Sequence, residues 1–122
     1  MSRDLLTIGP EAALREAARR MVDRGVGAVV VLEGERLTGI LTERDILKAV
    51  GRGDEETSSV GDWMTRHPDT IEPSDSTDHA AVLMIHGGFR HLPVVEGGAV
   101  VGILSIRDLM RLALADRMPR GV

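Results

Sequence analysis

The chain repeats itself. Shifted by 63 residues, its two halves align without a gap. Thr7-Ile8-Gly9-Pro10 falls on Thr70-Ile71-Glu72-Pro73, Ala17-Ala18 on Ala80-Ala81, Met21 on Met84, Gly25 on Gly88 and Glu33-Gly34 on Glu96-Gly97. Gly39-Ile40-Leu41-Thr42-Glu43-Arg44-Asp45 falls on Gly102-Ile103-Leu104-Ser105-Ile106-Arg107-Asp108. Duplication on this scale means that one supersecondary unit is built twice. A single unit has too few strands and helices to bury its own apolar faces. Two units packed face to face about a pseudo-two-fold axis are therefore expected, and clefts at such an interface come in pairs.

Each unit reads as β-α-β-β-α, an α/β (α+β) fold class. Leu5 to Ile8 is a short strand, and Pro10 follows at the start of a helix, where its missing N–H is harmless. Leu14, Ala17, Ala18, Met21 and Val22 give that helix an apolar stripe, and Gly25 ends it. Ala28 to Leu32 is a continuous apolar run, as in a buried strand. Glu33-Gly34-Glu35 turns into a partner strand at Leu37 to Leu41, and a helix follows from Glu43 to Val50. In the second unit Ser76 or Asp75 caps a helix with the stripe Ala80, Ala81, Met84 and Ile85. Gly87-Gly88 ends it. Strands at Arg90 to Val95 and Val100 to Leu104 and a helix from Ile106 to Ala115 complete the repeat. The expected organisation is repeat one at 1–50, a Gly-, Asp-, Glu-, Thr- and Ser-rich linker at 51–59, repeat two at 60–116, and a frayed tail at 117–122. Val60 to Thr65 is expected to form a short turn of helix before the second unit, with Trp63 packing the linker onto the core.

Composition narrows the function. The 122 residues include no cysteine, which excludes disulfides and thiolate metal sites and makes a reducing compartment the default. The opening Met1-Ser2-Arg3-Asp4-Leu5-Leu6 has no signal-type apolar segment, and the run from Ala28 to Leu32 is too short to span a bilayer, so a cytoplasmic protein is expected. A net charge of −4 without a basic block argues against nucleic-acid binding, as does an inventory of one Trp, one Phe and no Tyr for base stacking.

The sharpest local signal is Gly-Ile-Leu-[Thr/Ser]-x-Arg-Asp, at 39–45 and again at 102–108. It sets a hydroxyl, Thr42 or Ser105, where a strand gives way to a helix, and a carboxylate, Asp45 or Asp108, in the first helical turn. Two readings fit. A hydroxyl followed three residues later by an acid has the spacing of a capping box. The same geometry suits a nucleoside phosphate: free amides at a helix start attract phosphate, and a carboxylate accepts hydrogen bonds from both hydroxyls of a ribose.

Together with the two Thr-Ile-x-Pro openings and Arg90-His91-Leu92-Pro93-Val94-Val95, these motifs resemble the CBS-pair (Bateman module) family over nearly the whole chain, about Leu5 to Leu114. The resemblance implies a compact module of two tandem repeats whose inter-repeat clefts bind AMP, ADP, ATP or S-adenosylmethionine. It implies ribose binding by Asp45 and Asp108, with Thr42 and Ser105 as hydroxyl donors near phosphate or ribose. Thr7, Ile8, Thr70 and Ile71 match positions that line the cleft, and Arg90, His91 and Pro93 a strand that flanks the base. Repeat one departs from this pattern, with Gly27-Ala28-Val29-Val30 in place of Arg90-His91-Leu92-Pro93, so the two clefts are expected to differ. The resemblance also implies a homodimer with helices at its interface.

Rival chemistries are weaker. His79 and His86 lie seven apart on one expected helix, with Asp75 nearby, but the spacing matches no recognised metal site, and no metal is expected. His67 stands alone. No nucleophile–base arrangement appears, and Asp54-Glu55-Glu56 reads as solvating linker charge, so catalysis and a catalytic cofactor are not expected. The expectation is a regulatory module for an adenine nucleotide or S-adenosylmethionine that shifts between two states on binding, acting on an unidentified protein partner. The alternative is a ligand-independent dimer scaffold that regulates a partner by contact. The final helices, with Ile46, Leu47, Ala49 and Val50 in one repeat and Leu109, Met110, Leu112, Ala113 and Leu114 in the other, carry more apolar positions than one face can hold. Exposed apolar surface and a two-fold dimer are expected from them.

Overall fold

A computed structural model describes residues 5–117 of the chain. Two compact units divide between Pro68 and Asp69. The first contains β1 (Thr7–Ile8), α1 (Leu14–Arg24), β2 (Ala28–Glu33), β3 (Arg36–Thr42), α2 (Glu43–Gly51), α3 (Val60–Trp63) and β4 (Thr65–Arg66). Its sheet has the order β1-β2-β3-β4. β1 runs parallel to β2, with α1 as the crossover between them, while β3 pairs antiparallel with both β2 and β4.

The apolar run of β2 is buried from Ala28 to Val31, as its continuous hydrophobicity requires. Helix α1 packs on β2 and α2. It buries Leu14, Ala17 and Met21, three positions on one helical face. They meet Val29, Val31 and Leu41 of the sheet, Ala49 of α2, and Val60 and Met64 in one cluster. Gly25 ends α1 at φ 66, and Val26 N–H returns to the Met21 carbonyl in a Schellman closure that a side chain at position 25 would strain.

Three features differ from the sequence reading. Helix α1 begins at Leu14, not at Pro10. Residues 9–12 form a turn, Ala13 bridges Ser59, and Leu14 N–H donates to the Ser58 carbonyl, so contacts with the linker hold the first residues out of the helix. Val22 is 80% exposed, because a helix resting on one sheet face buries only the 14, 17, 21 line. The third concerns the segment after the linker. Val60 to Trp63 is the expected helical turn, but Val60 and Met64 enter the core of the first unit and β4 lengthens its sheet. The compact unit therefore runs past the repeat boundary. Gly39 permits this: a Cβ there would come within 2.7 Å of Met64 Sδ and of the Thr65 carbonyl oxygen.

The second unit holds α4 (Thr77–Gly87), β5 (His91–Glu96), β6 (Ala99–Ser105) and α5 (Ile106–Arg117). Ser76 Oγ accepts from His79 N–H and caps α4, which Gly88 ends at φ 73. β5 and β6 form an antiparallel hairpin, and Ile71 makes a parallel bridge to Val94 where the first unit has β1 beside β2. Ile71, Ala80, Met84, Leu92, Val94 and Leu104 form the core. Ile85, expected on the buried stripe, is 76% exposed, and its counterpart Val22 is exposed too. The repeat survives in fine detail: the register shift at Val31/Leu32 recurs at Val94/Val95. The expected frayed tail lies, beyond Arg117, outside the described residues, as do residues 1–4 of the opening segment.

Candidate functional site

Each unit presents the same joint, a β-strand that ends in a hydroxyl residue and turns at once into a helix. In the first, Thr42 has extended φ and ψ angles of −117° and 165°, and α2 starts at Glu43. Thr42 N–H donates to Asp45 Oδ2 at 2.9 Å, the Thr42 hydroxyl donates to the same oxygen at 3.1 Å, and Asp45 N–H donates to Thr42 Oγ1 at 3.3 Å. This is a reciprocal capping box with Asp where Glu is usual. Both bonds into the Asp45 carboxylate fall on one oxygen, Oδ2.

The second unit repeats the joint. Ser105 N–H donates to Asp108 Oδ2 at 3.0 Å, and Asp108 N–H donates to Ser105 Oγ at 3.0 Å. The next backbone bond recurs as well: Glu43 N–H meets the Gly27 carbonyl at 3.0 Å, and Ile106 N–H meets the Arg90 carbonyl at 2.7 Å. Partial burial of Asp108 works against its ionisation. The hydrogen bonds with Ser105 and then positive charge, that of Arg111 included, outweigh it and hold the carboxyl below its ordinary value. The capping reading is thus realised in the geometry at both joints. All four side chains stay half-buried, within reach of a solute.

The remaining candidates divide. Ile8, Ile71 and Pro93 are buried, and the two isoleucines belong to the apolar clusters of their own units. Thr7 is half-buried, and Thr70 and Arg90 are exposed. His91 is half-buried, and Leu92, Pro93 and Val94 after it are all buried. His91 pairs with Ser105 across the β5–β6 ladder, so the second unit gathers His91, Ser105 and Asp108 at the end of one hairpin. At the corresponding pair in the first unit Ala28 faces Thr42.

Trp63 packs against the first core and donates from Nε1 to Ser58 Oγ at 2.9 Å, as befits a residue that fastens the linker. His79 and His86 are exposed on α4, and the described residues contain no group of three His, Cys, Asp or Glu side chains placed to hold a metal ion. Among the described residues no helix is long and apolar enough to cross a membrane.

A strand–helix joint built twice on this α/β framework defines a class, the tandem-repeat α/β module. The CBS domain family model matches residues 1–52 and again 60–115, and the chain belongs to that family. A 17.7 kDa protein of Acidianus ambivalens is 38% identical over 109 residues, covering 88% of this chain and 66% of the relative. The chain spans 79% of the CBS domain-containing protein YhcV from Bacillus subtilis, at 34% identity, but only 22% of an inosine-5'-monophosphate dehydrogenase from Korarchaeum cryptofilum, at 33% identity. Among solved structures, a putative signal-transduction protein with CBS domains from Burkholderia ambifaria superposes with a TM-score of 0.88 at 34% identity, covering 98% of this chain and 90% of that one. The CBS domain pair of protein MJ0100, in complex with 5'-methylthioadenosine and S-adenosyl-L-methionine, reaches 0.88 at 26% identity, with coverage of 96% and 94%. CBSX2 in complex with AMP reaches 0.78 at 27% identity, with coverage of 94% and 91%.

Proposed function

We propose that this chain is a regulatory module that binds an adenosine-containing ligand and catalyses nothing. The observation that carries the reading is the twice-built hydroxyl–carboxylate joint, Thr42 with Asp45 and Ser105 with Asp108, on a fold whose neighbours hold S-adenosylmethionine, 5'-methylthioadenosine and AMP. At the first joint the cap occupies one carboxylate oxygen of Asp45, which leaves Oδ1 to accept from a ribose hydroxyl. Asp108 is likewise a carboxylate, and so an acceptor, at neutral pH. Arg90 and His91 give the second joint cationic and hydrogen-bonding groups suited to a phosphate, so a phosphorylated ligand favours it over the first.

The functional form is a homodimer. Leu47 and Val50 of α2 and Met110, Leu112 and Leu114 of α5 are exposed, and apolar helix surface of this kind is covered in an assembly. Isothermal titration with AMP, ADP, ATP and S-adenosylmethionine tests the ligand, and light scattering tests the dimer. Heat of binding with one of the four, together with a melting temperature that rises with its concentration, is the expected result. No binding by any of them leaves Asp45 and Asp108 as caps alone. The second reading would then stand, a scaffold that regulates its partner by contact, with the joints serving only as the capping boxes they already form.

A further inference from the structure

The two sheets differ at one edge. In the first unit β3 lies between β2 and β4, whereas among the described residues its counterpart β6 pairs with β5 alone. Backbone direction shows which side of β6 is open. Val30 N–H donates to the Leu6 carbonyl at 3.1 Å, away from β3, so Ile40 opposite it turns its own N–H and C=O the other way, toward Thr65 of β4. The second hairpin has the same arrangement. Pro93 has no N–H, and its carbonyl accepts from Ile71 N–H at 3.0 Å on the side away from β6. Ile103 stands opposite Pro93, so its N–H and C=O point to the outer edge. Gly102 beside it is buried and matches Gly39, the glycine that lets Met64 and Thr65 lie close against β3. An edge of this kind is a template for one more strand.

The 63-residue repeat names the occupant. Met64-Thr65-Arg66 falls on Met1-Ser2-Arg3, with methionine and arginine kept and one hydroxyl residue exchanged for the other. We propose that Met1-Ser2-Arg3 adds to the outer edge of β6 as an antiparallel strand. Ser2 stands opposite Ile103 and Arg3 opposite Gly102, as Thr65 stands opposite Ile40 and Arg66 opposite Gly39. Each sheet is then closed by the segment that precedes the other repeat. The added strand also bears on the second joint. Ser105 lies two residues beyond Ile103 on the same strand, so a partner at Ile103 steadies the end of β6 that presents Ser105 and Asp108. The argument of backbone direction and repeat holds whether or not an adenosine ligand binds at that joint.

The chain has no cysteine, so an engineered pair reports on this contact alone. In the full chain carrying Ser2→Cys and Ile103→Cys, oxidation is expected to close an intramolecular disulfide, because directly opposed residues lie within bridging distance. Ser2→Cys with Val101→Cys, a diagonal pair, is expected to close at least about tenfold more slowly. Hydrogen exchange gives a second reading without cysteines. The Ile103 amide is expected to be protected, and Ser2→Pro, which removes the N–H that Ser2 donates to the Ile103 carbonyl, to raise its exchange rate about fivefold or more. An Ile103 amide that exchanges freely, protection that survives Ser2→Pro, or equal closure of the two cysteine pairs overturns the proposal. A disulfide that joins two chains assigns the edge to a second copy and overturns it as well.

Discussion

The two units keep the same joints and differ on their faces. In the first, Ala28 stands opposite Thr42, and buried Thr38 donates from Oγ1 to the Val31 carbonyl at 3.2 Å, at the register shift between β2 and β3. In the second, His91 stands opposite Ser105, and Val101 takes the place of Thr38 and can donate nothing. The outer face of α1 is charged, with Glu16 bound to Arg19 at 3.0 Å and to Arg20 at 3.1 Å. The matching positions of α4 are His79, Val82 and Leu83. After duplication, the parts that set the backbone path have been kept: the glycine helix ends, the register shift and the strand–helix caps. Side chains that look outward have been free to specialise, one unit toward a sturdier core and the other toward a polar strand.

The largest effect expected from this comparison lies in the cores. Leu41 is fully buried among side chains from the sheet and three helices, whereas Leu104 keeps 6% exposure in a smaller cluster. Leu41→Ala should cost about 3 kcal/mol and Leu104→Ala about 2 kcal/mol in urea unfolding, in line with large-to-small core substitutions. A larger loss at Leu104 would invert the ranking of the two units. Next comes the ligand. Asp108→Ala should weaken binding of a phosphorylated adenosine compound by about 1.5–3 kcal/mol, and Asp45→Ala should weaken it less. Calorimetry that finds two equal and independent sites would erase the asymmetry assigned to Arg90 and His91.

Much of this was legible in the sequence. The repeat gave the element order, Gly25 and Gly88 marked where helices stop, and the spacing of Thr42 to Asp45 and Ser105 to Asp108 announced a cap that the structure contains. What stayed illegible depends on contacts far apart in the chain. Pro10 reads as a helix start, yet its carbonyl accepts from Gly61 N–H at 2.8 Å, and the carbonyl of Ala12 accepts from Val60 N–H at 2.9 Å. No local pattern reports that a later segment will claim those carbonyls. Val22 and Ile85 fall on apolar stripes by periodicity, but periodicity counts positions and not the width of the surface beneath the helix.

Smaller effects sharpen the comparison at the helix ends. Helix α4 has a side-chain cap from Ser76, while Ala13 at the start of α1 provides none. Ser76→Ala should cost about 1 kcal/mol and Ala13→Ser should add about 0.5 kcal/mol, both read from thermal unfolding. The smallest expected effect is on pH dependence. The folded state holds the Asp108 carboxyl below its ordinary value of 3.8, so its contribution to stability is complete above the unfolded value and fades as pH falls through the lower, folded one. Asp108→Asn should flatten that acid limb. An NMR titration midpoint for Asp108 at or above 3.8 would contradict the assignment.

Trp63, the one tryptophan of the chain, lies beneath the Arg52 guanidinium at 6.0 Å while its indole N–H holds Ser58. All of this sits in the first unit and its linker, and the second unit contains one Phe and no Tyr or Trp. The protein therefore carries its own optical label on one half only. Intrinsic fluorescence follows the release of the linker and is blind to the second hairpin, whereas circular dichroism sees both. A gap between the two signals during unfolding would separate the halves without any dye or mutation.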